Sequence, residues 1–360
     1  MGGGDQAGSA PDGQFLFLIT QLETTLAKSK VQPSAIHRQF NILILATMSA
    51  GKSSFINALI GEELLHAANE ATTACITTLE HNDCSDSTSA CCYAYNGDLL
   101  DSVANIQAEQ LKAWNRDDRI RNIILQGNFS TYCQPSQGLV LHDTPGPNNS
   151  QDPRHAQLTM DAIRDIPFDM VFYILNATQL GTRDDRALLT TVKEELARLQ
   201  RPHKVVFILN KVDQLDCEKG ESLTKHVEQA FSYLVDVGYT EPTIVPMIAN
   251  AALYARKKLA GMPLSRKQRI ELANFRDTYL QDSGALLKAS LVPAIVRKNV
   301  KKYMQFETRN VSVAPANQSE LHLLMAYSGL ATVVIMIDRQ RATFVRAQSR
   351  KEETKHQVSA

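Results

Sequence analysis

The sequence has no surplus of either charge. Its 38 Lys and Arg equal its 38 Asp and Glu, so no global field argues for a nucleic-acid partner. Cysteine is sparse: Cys75, Cys84, Cys91, Cys92, Cys133 and Cys217 form no C-x-x-C pair and no even framework, which excludes a disulfide scaffold and points to a reducing compartment. Adjacent Cys91 and Cys92 read as small apolar residues of a strand. No His/Cys/Glu spacing suits structural zinc, and neither a nucleophile elbow, a nucleic-acid-binding motif nor an internal repeat is present. The most apolar stretch, Leu321 to Ile337, carries His322, Ser328 and Gly329. As a helix it would rise about 26 Å against a bilayer core of about 30 Å, so a buried bundle helix is expected there. The opening MGGGDQAGSAPDG lacks the charged and apolar regions of a secretory leader, and Gln6 fills the Ser/Thr slot of a myristoylation signal. A cytoplasmic protein is expected.

What is present is the composition of a globular protein, 44% apolar and 21% charged, in a chain long enough for one large or two ordinary domains. From Phe40 to Ala260 short apolar runs alternate with amphipathic stretches. Strands are predicted over 40–46, 74–80, 91–95, 138–142, 170–175, 204–209 and 243–248, with a further apolar run at 120–125. Helices are predicted after Ser54, where Phe55, Ile56, Leu59 and Ile60 recur at helical spacing, and over 105–114, 153–166, 184–199, 219–235 and 249–260. This alternation predicts an α/β fold, a doubly wound and mostly parallel sheet, with its ligand beyond the carboxyl ends of the strands. Past Gly261 only helices are predicted, over 266–280, 285–304 and 319–346. The expected division is a disordered tail at 1–13, a helix within 14–37 packing on the C-terminal helices, a nucleotide-binding domain at 38–260, a helical segment at 261–346 and a tail at 347–360. Charge follows the division: from Ala289 onward 11 Lys and Arg face 5 Asp and Glu. The basic residues Arg297, Lys298, Lys301, Lys302, Arg339, Arg341 and Arg346 read as a solvated face, with anionic lipid as the alternative.

The chemistry is concentrated in three places. The apolar run Phe40 to Ala46 leads into Met48-Ser49-Ala50-Gly51-Lys52-Ser53-Ser54 and then a helix, the context of a phosphate-binding loop. Backbone amides around Ala50 to Ser53 would hold phosphate at the positive end of the helix. Lys52 would reach the β and γ phosphates, and the Ser53 hydroxyl would bind Mg²⁺. The motif expects glycine where Ala46 stands, so strain or a shifted loop is expected there. Second, Asp143 ends a strand in Asp143-Thr144-Pro145-Gly146, where its carboxylate can hold the hydration shell of Mg²⁺ and the Gly146 amide can face a γ-phosphate. Third, Asn210-Lys211-Val212-Asp213 selects the base. An Asp carboxylate accepts from guanine N1–H and the 2-amino group, a donor pair adenine lacks. Asn210 would brace the phosphate loop, and the Lys211 stem would cover the base. GTP or GDP is the expected nucleotide. His66 and His142, which flank these motifs, read as a loop histidine and a satisfied strand-end histidine.

SAGKSSFINALIG, the Thr72-Thr73 pair, DTPG and NKVD together resemble the bacterial branch of the dynamin superfamily of large GTPases, over Asn41 to about Ala260. The resemblance implies a dynamin-type GTPase domain that hydrolyses GTP with Mg²⁺ and is activated when two G domains pair. It places Ser49 near the scissile phosphate, Thr73 on the metal and attacking water with Thr72 as its rival, and Ala249 near the guanine, where Ile248 replaces the family's serine. Asp184 or Asp185 resembles an acidic loop that crosses the G-domain dimer. Met48 stands where the eukaryotic members place a water-orienting glutamine, a position at which bacterial relatives also vary, and this implies slow intrinsic turnover. The alternative is a nucleotide-gated scaffold that binds GTP with little turnover and recruits proteins. As partners the resemblance implies a homodimer and either an anionic membrane surface, peripheral at the inner membrane, or a second dynamin-like subunit. No nucleic acid is expected.

Overall fold

The computed structural model describes residues 39–66, 75–82, 85, 87–129, 138–146, 154–199, 204–216, 221–281, 284–310 and 316–358. The strands among them are β1 (Phe40–Ala46), β2 (Ile76–His81), β3 (Ser89–Ala94), β4 (Leu99–Val103), β5 (Ile120–Gly127), β6 (Leu139–Asp143), β7 (Met170–Asn176), β8 (Lys204–Asn210) and β9 (Thr243–Met247). They form one sheet in the order β4-β3-β5-β2-β6-β1-β7-β8-β9. β6, β1, β7, β8 and β9 run parallel, as does β2 beside β5; the β2–β6, β3–β5 and β3–β4 pairs are antiparallel. The helices that cover the sheet are α1 (Lys52–Ile60), α2 (Ala108–Trp114), α3 (Arg154–Asp165), α4 (Arg183–Arg198), α5 (Leu223–Val237) and α6 (Ala249–Leu259). Every residue of β1 and β7 is buried, which is why both read as unbroken apolar runs rather than alternating ones. The sheet is the expected doubly wound α/β type, and its central strands end beside one another at the edge where the three motifs lie.

Beyond α6 the chain continues as α7 (Arg266–Gln281), α8 (Ala285–Ala289), α9 (Ala294–Asn310), α10 (Ala316–Tyr327) and α11 (Leu330–Val358). Two expected single helices are therefore broken. The one over 285–304 stops at Ser290, where Leu291 bridges Ile244 near the start of β9, because Pro293 has no amide to donate and disfavours helix at Val292. The one over 319–346 breaks at Ser328–Gly329, bending by 69°. Gly329 has φ 93° and lies so close to β9 that a Cβ there would sit 2.5 Å from the Pro246 carbonyl oxygen. The Ile248 amide donates to the Ser328 carbonyl at 2.9 Å, so this elbow is seated behind the end of β9. Leu321 to Ile337 is buried along nearly its whole length. Among the described residues no single helix is long and apolar enough to cross a membrane. The tail expected from 347 is helical through Val358. The tail and helix expected over 1–37 lie outside the described residues.

On α9, Glu307 is only 6% exposed, and burial pushes its carboxyl up to about 7 from 4.5. Below pH 4.5 both the folded and unfolded chains hold this proton, and the group costs nothing. From 4.5 to 7 the unfolded chain releases it first, so stability falls as pH rises, by about 3 kcal/mol in full. Glu307→Gln is expected to raise Tm by several degrees at pH 7.5 and to match the parent near pH 4.5. Equal melting curves at both values would contradict this.

Candidate nucleotide-binding site

β1 hands the chain to α1 through Thr47 to Gly51. Ser49 and Gly51 hold left-handed conformations, at φ 60° and 91°. Such residues gather successive amides into an anion-holding concavity, here at the positive end of a nine-residue helix. Ala46 needs no such conformation. It is the last residue of β1, paired with Ile174 of β7 and absent from the positive-φ residues. The strain expected there is not found, because the tight part of the turn falls three residues later.

Lys52 and Ser53 open α1, both buried, and Ser54 follows half-buried. The Lys52 ammonium pairs directly with the Asp143 carboxylate, their side chains 8% and 1% exposed. Asp143 ends β6 level with Ile44 of β1 and Thr77 of β2, and the next residue locks the turn, the Thr144 hydroxyl donating to the Ile44 carbonyl at 2.9 Å. Gly146 approaches the phosphate loop so closely that a Cβ would stand 3.3 Å from the Met48 nitrogen. The oxygen donors Ser53 and Asp143 suit a hard cation. Among the described residues no three His, Cys, Asp or Glu cluster as a metal cage. That set fits Mg²⁺, which is held by one or two protein oxygens and completed by phosphate and water.

The third motif comes from β8. The Asn210 side chain joins two loops: Nδ2 donates to the Ala50 carbonyl at 3.1 Å, and Oδ1 accepts from the Ala249 amide at 3.2 Å. This is the expected bracing of the phosphate loop. Lys211 has φ 65°, and its Cε would lie 3.7 Å from a Cβ at Gly51; burial lowers its pKa, with Asp213 opposing. Asp213, in a single turn of 3-10 helix, keeps an exposed surface. Desolvation by the walls around its carboxyl nevertheless raises its pKa, and Glu271 adds to the rise. Lys52, Asp143, Asn210 and Lys211 thus meet around one loop, with Asp213 two residues further on.

Other sequence expectations divide. Thr72 and Thr73 lie outside the described residues. His66 is exposed. His142 is buried between Thr78, whose hydroxyl lies 3.0 Å from Nδ1, and Asn41, whose Oδ1 lies 2.9 Å from Nε2; burial pulls its pKa down to about 4, so it is a satisfied core histidine. Asp185 is withdrawn from any crossing loop. It is 3% exposed, accepts from the Tyr173 hydroxyl at 2.9 Å and receives its helix cap from Thr182. Asp184 remains exposed. Arg297 is spent on the Leu287, Lys288 and Ser290 carbonyls.

Three supports were missed. Asn57, fully buried in α1, clamps Leu65: its Nδ2 donates to the Leu65 carbonyl at 2.7 Å and its Oδ1 accepts from the Leu65 amide at 2.9 Å. A polar residue on the apolar side of α1 was a readable signal. Arg256 donates to the Ala58 and Leu59 carbonyls at the end of α1, and Lys257 and Gln268 both reach Glu63. No local pattern marks those residues.

Residues 42–212 match the family model described as Dynamin family. Dynamin-like protein A of Bacillus subtilis is 23% identical over 202 residues, covering 56% of this chain and 16% of that protein. Dynamin-like protein 1 of Campylobacter jejuni is 24% identical over 336 residues, covering 82% of this chain and 43% of that protein. The chain thus spans less than half the length of these curated relatives. Among solved structures, an oligomerised bacterial dynamin pair aligns over 96% of this chain and 50% of that chain, at 19% identity and TM-score 0.44. Era with MgGDPNP and a 16S ribosomal RNA fragment aligns over 64% of this chain and 59% of that chain, at 14% identity and TM-score 0.34.

Proposed function

We propose that this chain, whose residues 42–212 belong to the dynamin family of GTPases, binds GTP and GDP with Mg²⁺ and hydrolyses GTP slowly alone and faster when two G domains pair. The observation that carries the reading is the Asn210 side chain, which ties the phosphate loop at Ala50 to the Ala249 loop and so sets a triphosphate cradle beside the Asp213 carboxylate. An arriving triphosphate offers Lys52 a second anion. Lys52 then turns to the β and γ oxygens, which frees Asp143 so that, with Ser53, it would help hold Mg²⁺. Bound Mg²⁺ would supply charge neutralisation between the β and γ phosphates. Water attacks the γ-phosphorus, the bond to the β–γ bridging oxygen breaks, and GDP and inorganic phosphate leave. The loop amides and Lys52 oppose the charge that builds on the leaving oxygen, with the Gly146 amide at the γ end. Ser49 and Thr73 are proposed to complete the site at the scissile phosphate and the attacking water.

Asp213 sets the base. Asp213→Asn is expected to weaken GTP binding by about a hundredfold, or about 2.7 kcal/mol, and to shift preference toward xanthosine triphosphate, whose 2-oxo group accepts from the new amide. Retained guanine selectivity in competition titrations would refute the assignment. Met48, which carries no water-orienting group yet lies against Gly146, favours a second reading: a scaffold that holds GTP almost without turnover and recruits protein partners. Phosphate release that climbs faster than linearly with protein concentration supports the GTPase; tight binding with no turnover at any concentration supports the scaffold. For the exposed Lys298, Lys301, Lys302 and Arg339 the proposed partner is an anionic membrane surface, with a solvated face that binds no lipid as the alternative. Co-sedimentation with anionic and neutral liposomes separates the two.

A further inference from the structure

The loop that leaves α1 is held from both ends of the fold. Gly61 closes α1 in a left-handed conformation at φ 87°. Arg256 of α6 packs so tightly over it that a Cβ at Gly61 would stand 2.6 Å from Nη2. Four residues on, Asn57 fixes both backbone groups of Leu65. Between these anchors Glu63 is gripped by side chains from far along the chain. The Lys257 ammonium, its side chain 10% exposed, donates to Glu63 Oε2 at 2.5 Å, and Gln268 Nε2 donates to both carboxylate oxygens, at 2.9 and 3.0 Å. Burial alone would raise the Glu63 pKa; the Lys257 and Gln268 hydrogen bonds outweigh it and lower the pKa.

Gln268 has a second task. The Ser265 hydroxyl accepts from the Gln268 amide at 3.2 Å, and Gln268 Oε1 accepts from the Ser265 amide at 3.0 Å. This reciprocal pair is a capping box that starts α7. One amide group therefore caps α7 with its oxygen and holds Glu63 with its nitrogen. A side chain shared this way makes the position of α7 and the course of residues 61–66 a single mechanical variable.

We infer that Gln268 is a positioning residue for the nucleotide site: through Glu63 it couples the first turn of the helical segment to the chain leaving the phosphate-loop helix. The ligand whose binding feels this coupling is the guanine nucleotide, so this half of the inference rests on the proposed function. Linkage makes the coupling reciprocal, so α7 held in this place favours one nucleotide state and that state favours α7 in this place. A device of this kind differs from a plain structural contact, which would lower stability without changing the balance between nucleotide states.

Gln268→Glu isolates the effect. Glutamate at this position preserves the capping box. Its carboxylate, however, replaces the nitrogen donor, strengthens the pull on Lys257, which already donates to Gln268 Oε1 at 3.4 Å, and repels Glu63. Glu63→Gln in the same chain restores a donor–acceptor pair with the polarity reversed. The first readout needs no nucleotide. Hydrogen exchange of the Leu65 amide in the full chain is expected to quicken about tenfold in Gln268→Glu and to return to the parent rate in the double variant. The second readout is turnover: kcat for GTP is expected to fall at least about fivefold while GDP affinity stays within about twofold, again reversed in the double variant. Unchanged exchange at Leu65 overturns the clasp itself, whatever the protein does with nucleotide. Faster exchange with kcat and the GTP-to-GDP affinity ratio unchanged overturns the coupling. A parent chain that binds no guanine nucleotide defeats the proposed function and with it the coupling to nucleotide, while the exchange arm still judges the clasp.

Discussion

Gly51→Ala is expected to abolish nucleotide binding and remove several kcal/mol of stability. At φ 91° an alanine is strained by about 1–2 kcal/mol, and its Cβ would stand 2.3 Å from Asn210 Nδ2. Asn210 cannot yield without surrendering its bonds to the Ala50 carbonyl and the Ala249 amide, both buried and each worth about 1 kcal/mol. The total of about 3–4 kcal/mol should appear as a lower Tm, and GDP affinity should drop at least about a hundredfold because the brace between the two loops is lost. Gly97 supplies the control. It has nearly the same φ, 90°, but open space where the Cβ would go, so Gly97→Ala should cost only about 1–2 kcal/mol and leave GDP affinity intact. Equal effects at the two glycines would show that backbone strain alone, and not the Asn210 brace, accounts for the loss.

The second large effect concerns the buried ion pair. Lys52→Met removes the cation proposed to face the triphosphate and strands the Asp143 carboxylate, 1% exposed. An uncompensated buried charge of this kind costs about 3–5 kcal/mol, and GTP hydrolysis should become undetectable. Loss of activity in this variant alone could reflect failure to fold. Lys52→Met combined with Asp143→Leu answers that point, since an apolar pair in place of a buried ion pair is close to neutral or better. The double variant is expected to regain most of the lost stability and none of the GTP binding, as read by melting curves and nucleotide titration side by side. Recovery of binding along with stability would mean that Lys52 is structural and that the phosphates are held elsewhere.

Much of this was legible in the sequence, and for a physical reason. A strand buried on both faces must be apolar throughout, so β1, β7 and β8 announce themselves, and the polar residues that end or follow β1, β6 and β8 fall at one sheet edge whatever the loops do. Asn210 could be placed because its motif closes another apolar strand of a parallel sheet, whose carboxyl ends share the edge that carries the phosphate loop. Other features carried signals that were passed over. β4 was missed, although Asn96-Gly97 between β3 and Leu99 is the strongest short hairpin signal there is. Its residues are mostly exposed, so no alternation marks it as a strand. Pro293 and the Ser328–Gly329 step likewise foretell the broken helices. Ala46 misled for the opposite reason: a missing glycine was read as strain, but conformation decides strain, and the left-handed residues are Ser49 and Gly51. The Glu63 clasp was out of reach altogether. Gln268 lies 205 residues from Glu63, and side-chain pairing across that span leaves no periodic trace in either segment.

The central claim, that the Asn210-braced loop and Asp213 form one guanine-nucleotide site, is tested most directly by equilibrium titration of the full chain with MgGTP and MgATP. Saturable GTP binding, with ATP at least about a hundredfold weaker and both lost in Gly51→Ala, is the result expected here. Equal affinity for the two nucleotides, or no binding of either by a well-folded chain, would contradict it.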